Sequence, residues 1–324
     1  MFLKRPMLTA VIVLNVLVKA FPVGATDVTT VVPVGEEHCR IDIPGQCTDV
    51  DAIVFVHGIY GGDDTFKNPT SKFDWPSEMP RVINGHKVDV YKLIYRTELI
   101  AWARGANPTF EVLTESTFAA MKPLRTAGYR SIGFIAHSLG GNVISTYIHK
   151  VKTAIGHPQR SQNAFVVTLA TPVLGAQIAD LASILKSTLG MTDPLLASLK
   201  SSNLFLTMLQ QFREDEQEKG QRYACRPVHL HAAIEKKYLG PILIVRPESA
   251  VRPISDFANS PIVAFELNHE MIAKPVDAQS AVYRWVMGRV LQEYQRISDW
   301  DEAHKDAPVT RHLCELMDYL AEKP

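Results

Sequence analysis

Mostly apolar runs of a few residues recur along the chain between residues 52 and 270. Such runs are typical of β-strands that are buried on both faces, as in parallel sheets. Six of them predict strands, at residues 52–56, 88–95, 131–136, 164–169, 241–245 and 262–267.

Between these runs, apolar residues recur at helical spacing. Helices are predicted over residues 110–127, after the glycines at 140 and 141, and over residues 277–294. Alternation of strands and helices is typical of α/β folds. The chain is therefore predicted to form a mostly parallel, doubly wound sheet flanked by helices, in a single domain over residues 26–324.

The N-terminus has the features of a secretory signal peptide. Lys4 and Arg5 precede an apolar stretch over residues 7–18, and the small residues Gly24 and Ala25 follow it. The stretch is short for a bilayer, which takes ~20 apolar residues to cross. We therefore expect a signal peptide over residues 1–25 and a secreted or periplasmic protein. An uncleaved signal that anchors the protein in a membrane is the alternative.

Composition narrows the classes of partner. The 324 residues are 46% apolar and 21% charged, which is the balance of a globular protein with a sizeable core. Lys plus Arg and Asp plus Glu each number 34, so no excess of basic residues indicates a nucleic-acid partner. Nothing in the sequence indicates the oligomeric state.

Four cysteines follow the predicted signal: Cys39, Cys47, Cys225 and Cys314. An even number in an exported chain indicates disulfides. Cys39 and Cys47 flank the turn signal Pro44-Gly45, so we expect these two to pair, which leaves Cys225 to pair with Cys314. Buried free thiols are the alternative.

Ser138 is the candidate nucleophile. It lies between a predicted strand and a predicted helix, in the segment Ala136-His137-Ser138-Leu139-Gly140. A tight strand-to-helix turn presents the serine hydroxyl to a base and a substrate, and its neighbours two positions away must be small, as Ala136 and Gly140 are. The same turn places the Leu139 N–H at a helix N-terminus, where it can stabilise an oxyanion.

A glycine-rich segment, His57-Gly58-Ile59-Tyr60-Gly61-Gly62, follows the first apolar run. In folds with such a serine turn, the loop after an early strand donates the second oxyanion N–H, and glycines let its backbone approach the substrate. We expect Gly58 to support this loop and the Ile59 N–H to be the donor, with the Tyr60 N–H as the alternative.

The base and the acid should follow Ser138 in the order acid, then histidine. His269 follows the run at 262–267 and precedes the predicted helix over 277–294, so it is the expected base. Glu248 lies just after the run at 241–245 and is the expected acid, with Asp256 as its nearest rival.

His229 and His231 form a His-x-His pair of the kind that can bind metal. Neither a carboxylate nor a cysteine accompanies them at the usual ligand spacing, so they are interpreted as strand or surface histidines. Neither a metal nor an organic cofactor is expected.

Together these segments resemble the serine-active-site-containing protein family, which is close to the GPI inositol-deacylase-like lipases. The resemblance covers residues 50–290, and its motifs are the segment 57–62, the turn at Ser138, Leu169-Ala170-Thr171-Pro172 with Gly175, Glu248-Ser249-Ala250, and Asn268-His269 with Lys274-Pro275. It implies an α/β-hydrolase fold and serine, acid and histidine ester chemistry, often on lipids. It also supports Glu248 as the acid. The export signal and the cysteines are departures from that family.

The expected function is hydrolysis of a carboxylic ester, either a lipid or another acyl ester. An acyltransferase that uses the same residues and a non-catalytic binding protein on a hydrolase scaffold are the alternatives.

A helical insertion is predicted at about residues 171–240. It contains apolar segments at 178–189 and 195–212, followed by a charged stretch at 213–219. The insertion is either a lid that opens during transient contact with a lipid surface or an ordinary helical layer packed on the sheet.

Overall fold

One mixed sheet is the centre of the molecule. The computed structural model describes residues 29–36, 38–59, 61–95, 109–153, 162–172, 226, 228–237, 261–303 and 305. Within these residues the sheet has eight strands: β1 Thr29–Pro33, β2 Val50–Val56, β3 Val82–Ile83, β4 His86–Tyr95, β5 Ser131–His137, β6 Asn163–Leu169, β7 His229–Glu235 and β8 Val263–Phe265. The strand order is β1-β4-β2-β5-β6-β7-β8, with β3 paired to β4. β1 and β3 run antiparallel to β4, and the other pairs are parallel.

Helices cover the sheet in the order α1 Phe110–Ala120, α2 Lys122–Ala127, α3 Leu139–Thr153 and α4 Ala281–Ala303. α1 begins where the Thr109 hydroxyl accepts the Val112 N–H. The sequence predicted a single helix over 110–127, but the structure divides it at Met121. Pro123 lies in the first turn of α2, the position where its missing N–H costs nothing.

Both faces of the sheet are buried, which explains why the strands are nearly continuous apolar runs. Ala52, Val54 and Val56 of β2 belong to the core layer that includes residues of α1, α2 and α3. Ile53 and Phe55, which alternate with them, belong to the opposite layer, which includes residues of α4. The result is a three-layer arrangement with the sheet in the middle.

β7 corrects the sequence-based assignment of this region. The predicted insertion over 171–240 extended through His229–Glu235, which is a strand of the central sheet, so any insertion must end before His229. The strand was missed because the polar residues His229 and His231 interrupt its apolar run. Both rings contact the carboxylate of Glu293, which lies far along the chain. The predicted strand at 241–245 and the helical segments at 178–189 and 195–212 lie outside the described residues.

The Cys39–Cys47 disulfide is confirmed, with a Cα–Cα distance of 5.8 Å. Cys225 and Cys314 lie outside the described residues, as does the predicted signal peptide over 1–25. Among the residues that the structure describes, no helix combines the length and the apolar character needed to cross a membrane.

Candidate active site

Ser138 is the single residue between the end of β5 and the start of α3. Its φ of 52° lies in the left-handed region, which is uncommon for a residue with a side chain. Its N–H donates to the Leu169 carbonyl at 2.9 Å, which fixes the turn to the end of β6. The turn therefore has the strained geometry of a nucleophile elbow.

Small neighbours are required by the packing around this turn. A Cβ on Gly140 would lie 2.5 Å from the His57 carbonyl oxygen and 2.6 Å from that of Val56, so only glycine fits. Ala136 pairs with Val56 across β2 and β5 and has no exposed surface. The sequence-based expectation that Gly140 be small therefore has a steric explanation, and Ala136 lies fully buried in the sheet beside it.

His269 lies beside Ser138. Its Nε2 is 2.9 Å from the Ser138 hydroxyl oxygen. The loop that carries it is fixed by two further contacts: the Asn268 carboxamide oxygen accepts the Met271 N–H at 2.9 Å, and His137 Nε2 lies 2.7 Å from the His269 carbonyl oxygen. Because a carbonyl only accepts, His137 Nε2 carries the proton in that contact.

Glu235 is the carboxylate that the structure brings to His269. Its Oε1 lies 3.1 Å from His269 Nδ1, and the residue is completely buried at the end of β7. An ionised carboxylate only accepts, so His269 carries its proton on Nδ1 and leaves Nε2 to accept the Ser138 hydroxyl proton. Glu248 and its rival Asp256 lie outside the described residues.

The loop at Gly58 passes directly against Ser138. A Cβ on Gly58 would lie 2.7 Å from the Ser138 Cβ, which is closer than two carbons that are not bonded to each other can approach. Leu139 is the first residue of α3, so its N–H has no acceptor within the helix, and Ile59 follows Gly58. The two predicted oxyanion donors thus belong to segments that meet at Ser138.

His57 and Tyr95 fix the position of this loop. The Tyr95 N–H donates to His57 Nε2 at 3.1 Å, so the proton of the ring is on Nδ1, which donates to the Gly58 carbonyl at 2.7 Å. The two rings stack with centroids 4.0 Å apart, and the Tyr95 hydroxyl donates to the His57 carbonyl. Burial lowers the pKa of His57 to about 4, so the ring is neutral at pH 7.

His137 is a second buried, neutral histidine at the site. Burial, followed by the neighbouring His269 ring, lowers the pKa of His137 to about 3. Its proton therefore remains on Nε2 at neutral pH and continues to bind the His269 carbonyl.

Sequence reasoning had missed four residues at this site: Glu235, His137, His57 and Tyr95. For Glu235 the sequence did hold a signal. Three apolar residues precede it and mark the end of a buried strand: Ala232, Ala233 and Ile234.

The sheet order, the turn at Ser138 and the adjacent histidine define a serine hydrolase of the α/β-hydrolase fold. Residues 49–231 match the family described as "Putative serine esterase (DUF676)", and this match covers more than half of the chain. The chain belongs to this family, and its class is that of the serine ester hydrolases.

Solved structures similar to the chain include lipases and esterases. The Bacillus licheniformis lipase BlEst2 is 15% identical, with 81% of this chain and 97% of that chain covered at a TM-score of 0.45. Esterase B from Lactobacillus rhamnosis is 9% identical, with coverages of 86% and 90% and a TM-score of 0.48. A lipase-esterase related protein from Clostridium acetobutylicum is 12% identical, with coverages of 82% and 99% and a TM-score of 0.45. The comparison with curated proteins returned no match.

Proposed function

We propose that the protein hydrolyses carboxylic esters through Ser138, His269 and Glu235. The observation that supports this is a continuous series of contacts: the Ser138 hydroxyl is 2.9 Å from His269 Nε2, and His269 Nδ1 is 3.1 Å from Glu235 Oε1. A serine beside a histidine that is itself oriented by a carboxylate is the arrangement that activates a hydroxyl as a nucleophile.

In the first half of the reaction, His269 Nε2 takes the Ser138 proton as the serine oxygen attacks the ester carbonyl carbon. The carbonyl oxygen becomes an oxyanion, which the N–H groups of Leu139 and Ile59 bind. His269 then gives the proton to the departing alcohol, and the acyl group remains on Ser138. Water attacks this acyl-enzyme in the second half by the same proton route, which releases the acid and restores the serine.

Glu235 takes the place of Glu248 as the acid in this proposal. Its carboxylate accepts from His269 Nδ1–H and so selects the tautomer whose Nε2 is basic. When His269 becomes positively charged in the transition state, the buried negative charge beside it stabilises that form.

The substrate class in this proposal is an acyl ester outside the cytoplasm. The signal-like residues 1–25 and the Cys39–Cys47 disulfide support export, because disulfides persist in oxidising compartments.

Hydrolysis of p-nitrophenyl esters of increasing acyl length tests the proposal. Ser138→Ala should lower kcat/KM by about 10⁴-fold or more, because the members of a triad act as a unit. Ser145→Ala is the matched control: Ser145 is also buried in α3, where its hydroxyl donates to the Gly141 carbonyl at 2.8 Å. It should stay within about twofold of the wild type, as expected for a change away from the reacting atoms. Equal activity of wild type and Ser138→Ala would exclude Ser138 as the nucleophile.

A further inference from the structure

Three side chains that the esterase reaction does not use meet between the sheet and α4. His229 and His231 are two residues apart on β7 and so point to the same face of the sheet. Glu293 of α4 faces them: its Oε1 lies 3.0 Å from His229 Nδ1 and 2.7 Å from His231 Nε2. The three candidate ligand atoms all lie within 4.8 Å of one another.

These separations are close to those around a bound metal ion. Zinc binds imidazole nitrogen and carboxylate oxygen at about 2.0–2.2 Å, so tetrahedral ligand atoms lie about 3.4 Å apart. The two nitrogen–oxygen distances, 3.0 and 2.7 Å, need to open by about 0.4 and 0.7 Å to reach that separation. Two histidines with one glutamate are also a set of protein ligands that zinc sites use.

The surroundings of Glu293 suit a ligand carboxylate. Its second oxygen accepts from Arg296 Nε at 2.6 Å, and Arg296 also donates to the Ala164 carbonyl at 3.0 Å. Hydrogen bonds to the distal atoms of a ligand fix its orientation, as they do in established metal sites. Oε1 is thereby directed at the two histidines.

Within the part of the chain that the structure describes, His229 is the member of this cluster that reaches solvent. Glu293 and His231 are almost completely buried, whereas the His229 side chain is 21% exposed. An ion could enter past His229, and a water molecule could complete its coordination there.

We propose that His229, His231 and Glu293 form a binding site for a divalent transition-metal ion of the zinc type, which links β7 to α4. The site lies at the start of β7, whereas Glu235 lies at its end. Glu235 lies six positions after His229, which is about 20 Å along a strand. The ion therefore stabilises the sheet–helix contact and takes no part in the ester chemistry.

Calorimetric titration of the full chain with Zn²⁺, after treatment with a chelator, tests this site. We expect one ion to bind per chain with a Kd of about 1 μM or lower. Thermal unfolding should shift upward by about 5 °C at a hundredfold excess of Zn²⁺ over the Kd, because the ion binds only the folded site. Absence of both the binding heat and the shift would overturn the proposal.

Three variants test whether Zn²⁺ binds at these residues. His229→Ala and Glu293→Gln should each weaken Zn²⁺ binding by about 100-fold or more, because each removes one ligand charge or atom. His38→Ala is the control: this half-buried histidine contacts the Val90 carbonyl elsewhere on the sheet and should leave binding unchanged. Should Glu293→Gln fail to fold, the more exposed His229 still provides the test. Wild-type affinity in His229→Ala would place the ion elsewhere and refute the site.

Discussion

Glu235 Oε1 lies 3.1 Å from His269 Nδ1, and Glu235 is the last residue of a strand that is completely buried at that end. The end of a parallel strand is where catalytic groups of α/β sheets gather, because the loops on that side open a crevice. The contact makes Glu235 the acid of the proposed triad and makes the choice of carboxylate testable.

Glu235→Gln should lower kcat/KM by about 10²–10⁴-fold while leaving the fold intact, because glutamine keeps the size of the side chain but does not enforce the Nδ1–H tautomer or stabilise the imidazolium. The measurement is ester hydrolysis by the variant beside Glu248→Gln, which should behave like the wild type. A large loss in Glu248→Gln with normal activity in Glu235→Gln would restore the acid expected from the sequence.

Gly58→Ala should lower kcat/KM by about 100-fold, because its Cβ would lie 2.7 Å from the Ser138 Cβ and would displace the loop that carries the Ile59 N–H. Gly62→Ala is the matched control in the same loop, since a Cβ there would meet nothing within 4 Å. Equal activities of the two variants would show that the close approach of Gly58 to the serine is unimportant for catalysis.

His137→Phe should lower kcat by about tenfold or more and leave KM nearly unchanged, because it fills the space but removes the donor to the His269 carbonyl. His137→Gln retains an N–H donor and should recover most of the lost kcat. A fall in both variants to the same degree, with lower melting temperatures, would indicate a role in packing rather than in positioning His269.

Acid should destabilise the fold partly through His57. Its pKa is about 4 in the folded protein and about 6.5 in the unfolded chain, so the unfolded chain binds the extra proton between these values. Stability from this residue is fully present above pH 6.5 and is lost as the pH falls toward 4. At pH 5 the loss is about 2 kcal/mol.

Urea unfolding at pH 7 and pH 5 measures the contribution of His57 to the free energy of unfolding. The wild type is compared with His57→Gln. The wild type should lose about 2 kcal/mol more than the variant over this interval. Parallel losses in both proteins would mean that the folded protein binds a proton at His57 as readily as the unfolded chain does.

The pattern of apolar residues alone was sufficient to predict four strands of the central sheet. β2, β4, β5 and β6 lie within two residues of the runs at 52–56, 88–95, 131–136 and 164–169. These strands are buried on both faces, so each position contributed to the signal. The turn at Ser138 and the position of His269 could be predicted for a related reason, because their local sequences follow such strands.

β7 could not be predicted in this way, because two of its first three residues are histidines. Both rings contact Glu293, which is 62 residues from His231 in sequence and reaches it through the packing of α4. Once β7 was missed, Glu235 was missed as well, since its importance depends on lying at the end of a strand. The contacts of His137 and His57 also join distant parts of the chain.

Labelling with a fluorophosphonate probe tests the central claim most directly, because the probe reacts much faster with a serine that a neighbouring base has activated. We expect a single adduct, located by peptide mass spectrometry at Ser138, in wild type and in Ser145→Ala, and none in Ser138→Ala. Labelling of His269→Ala should be slower by about 1,000-fold or more, since the base has been removed. A folded wild-type protein that forms no adduct, or forms it on another residue, would contradict the assignment of Ser138 and His269 as nucleophile and base.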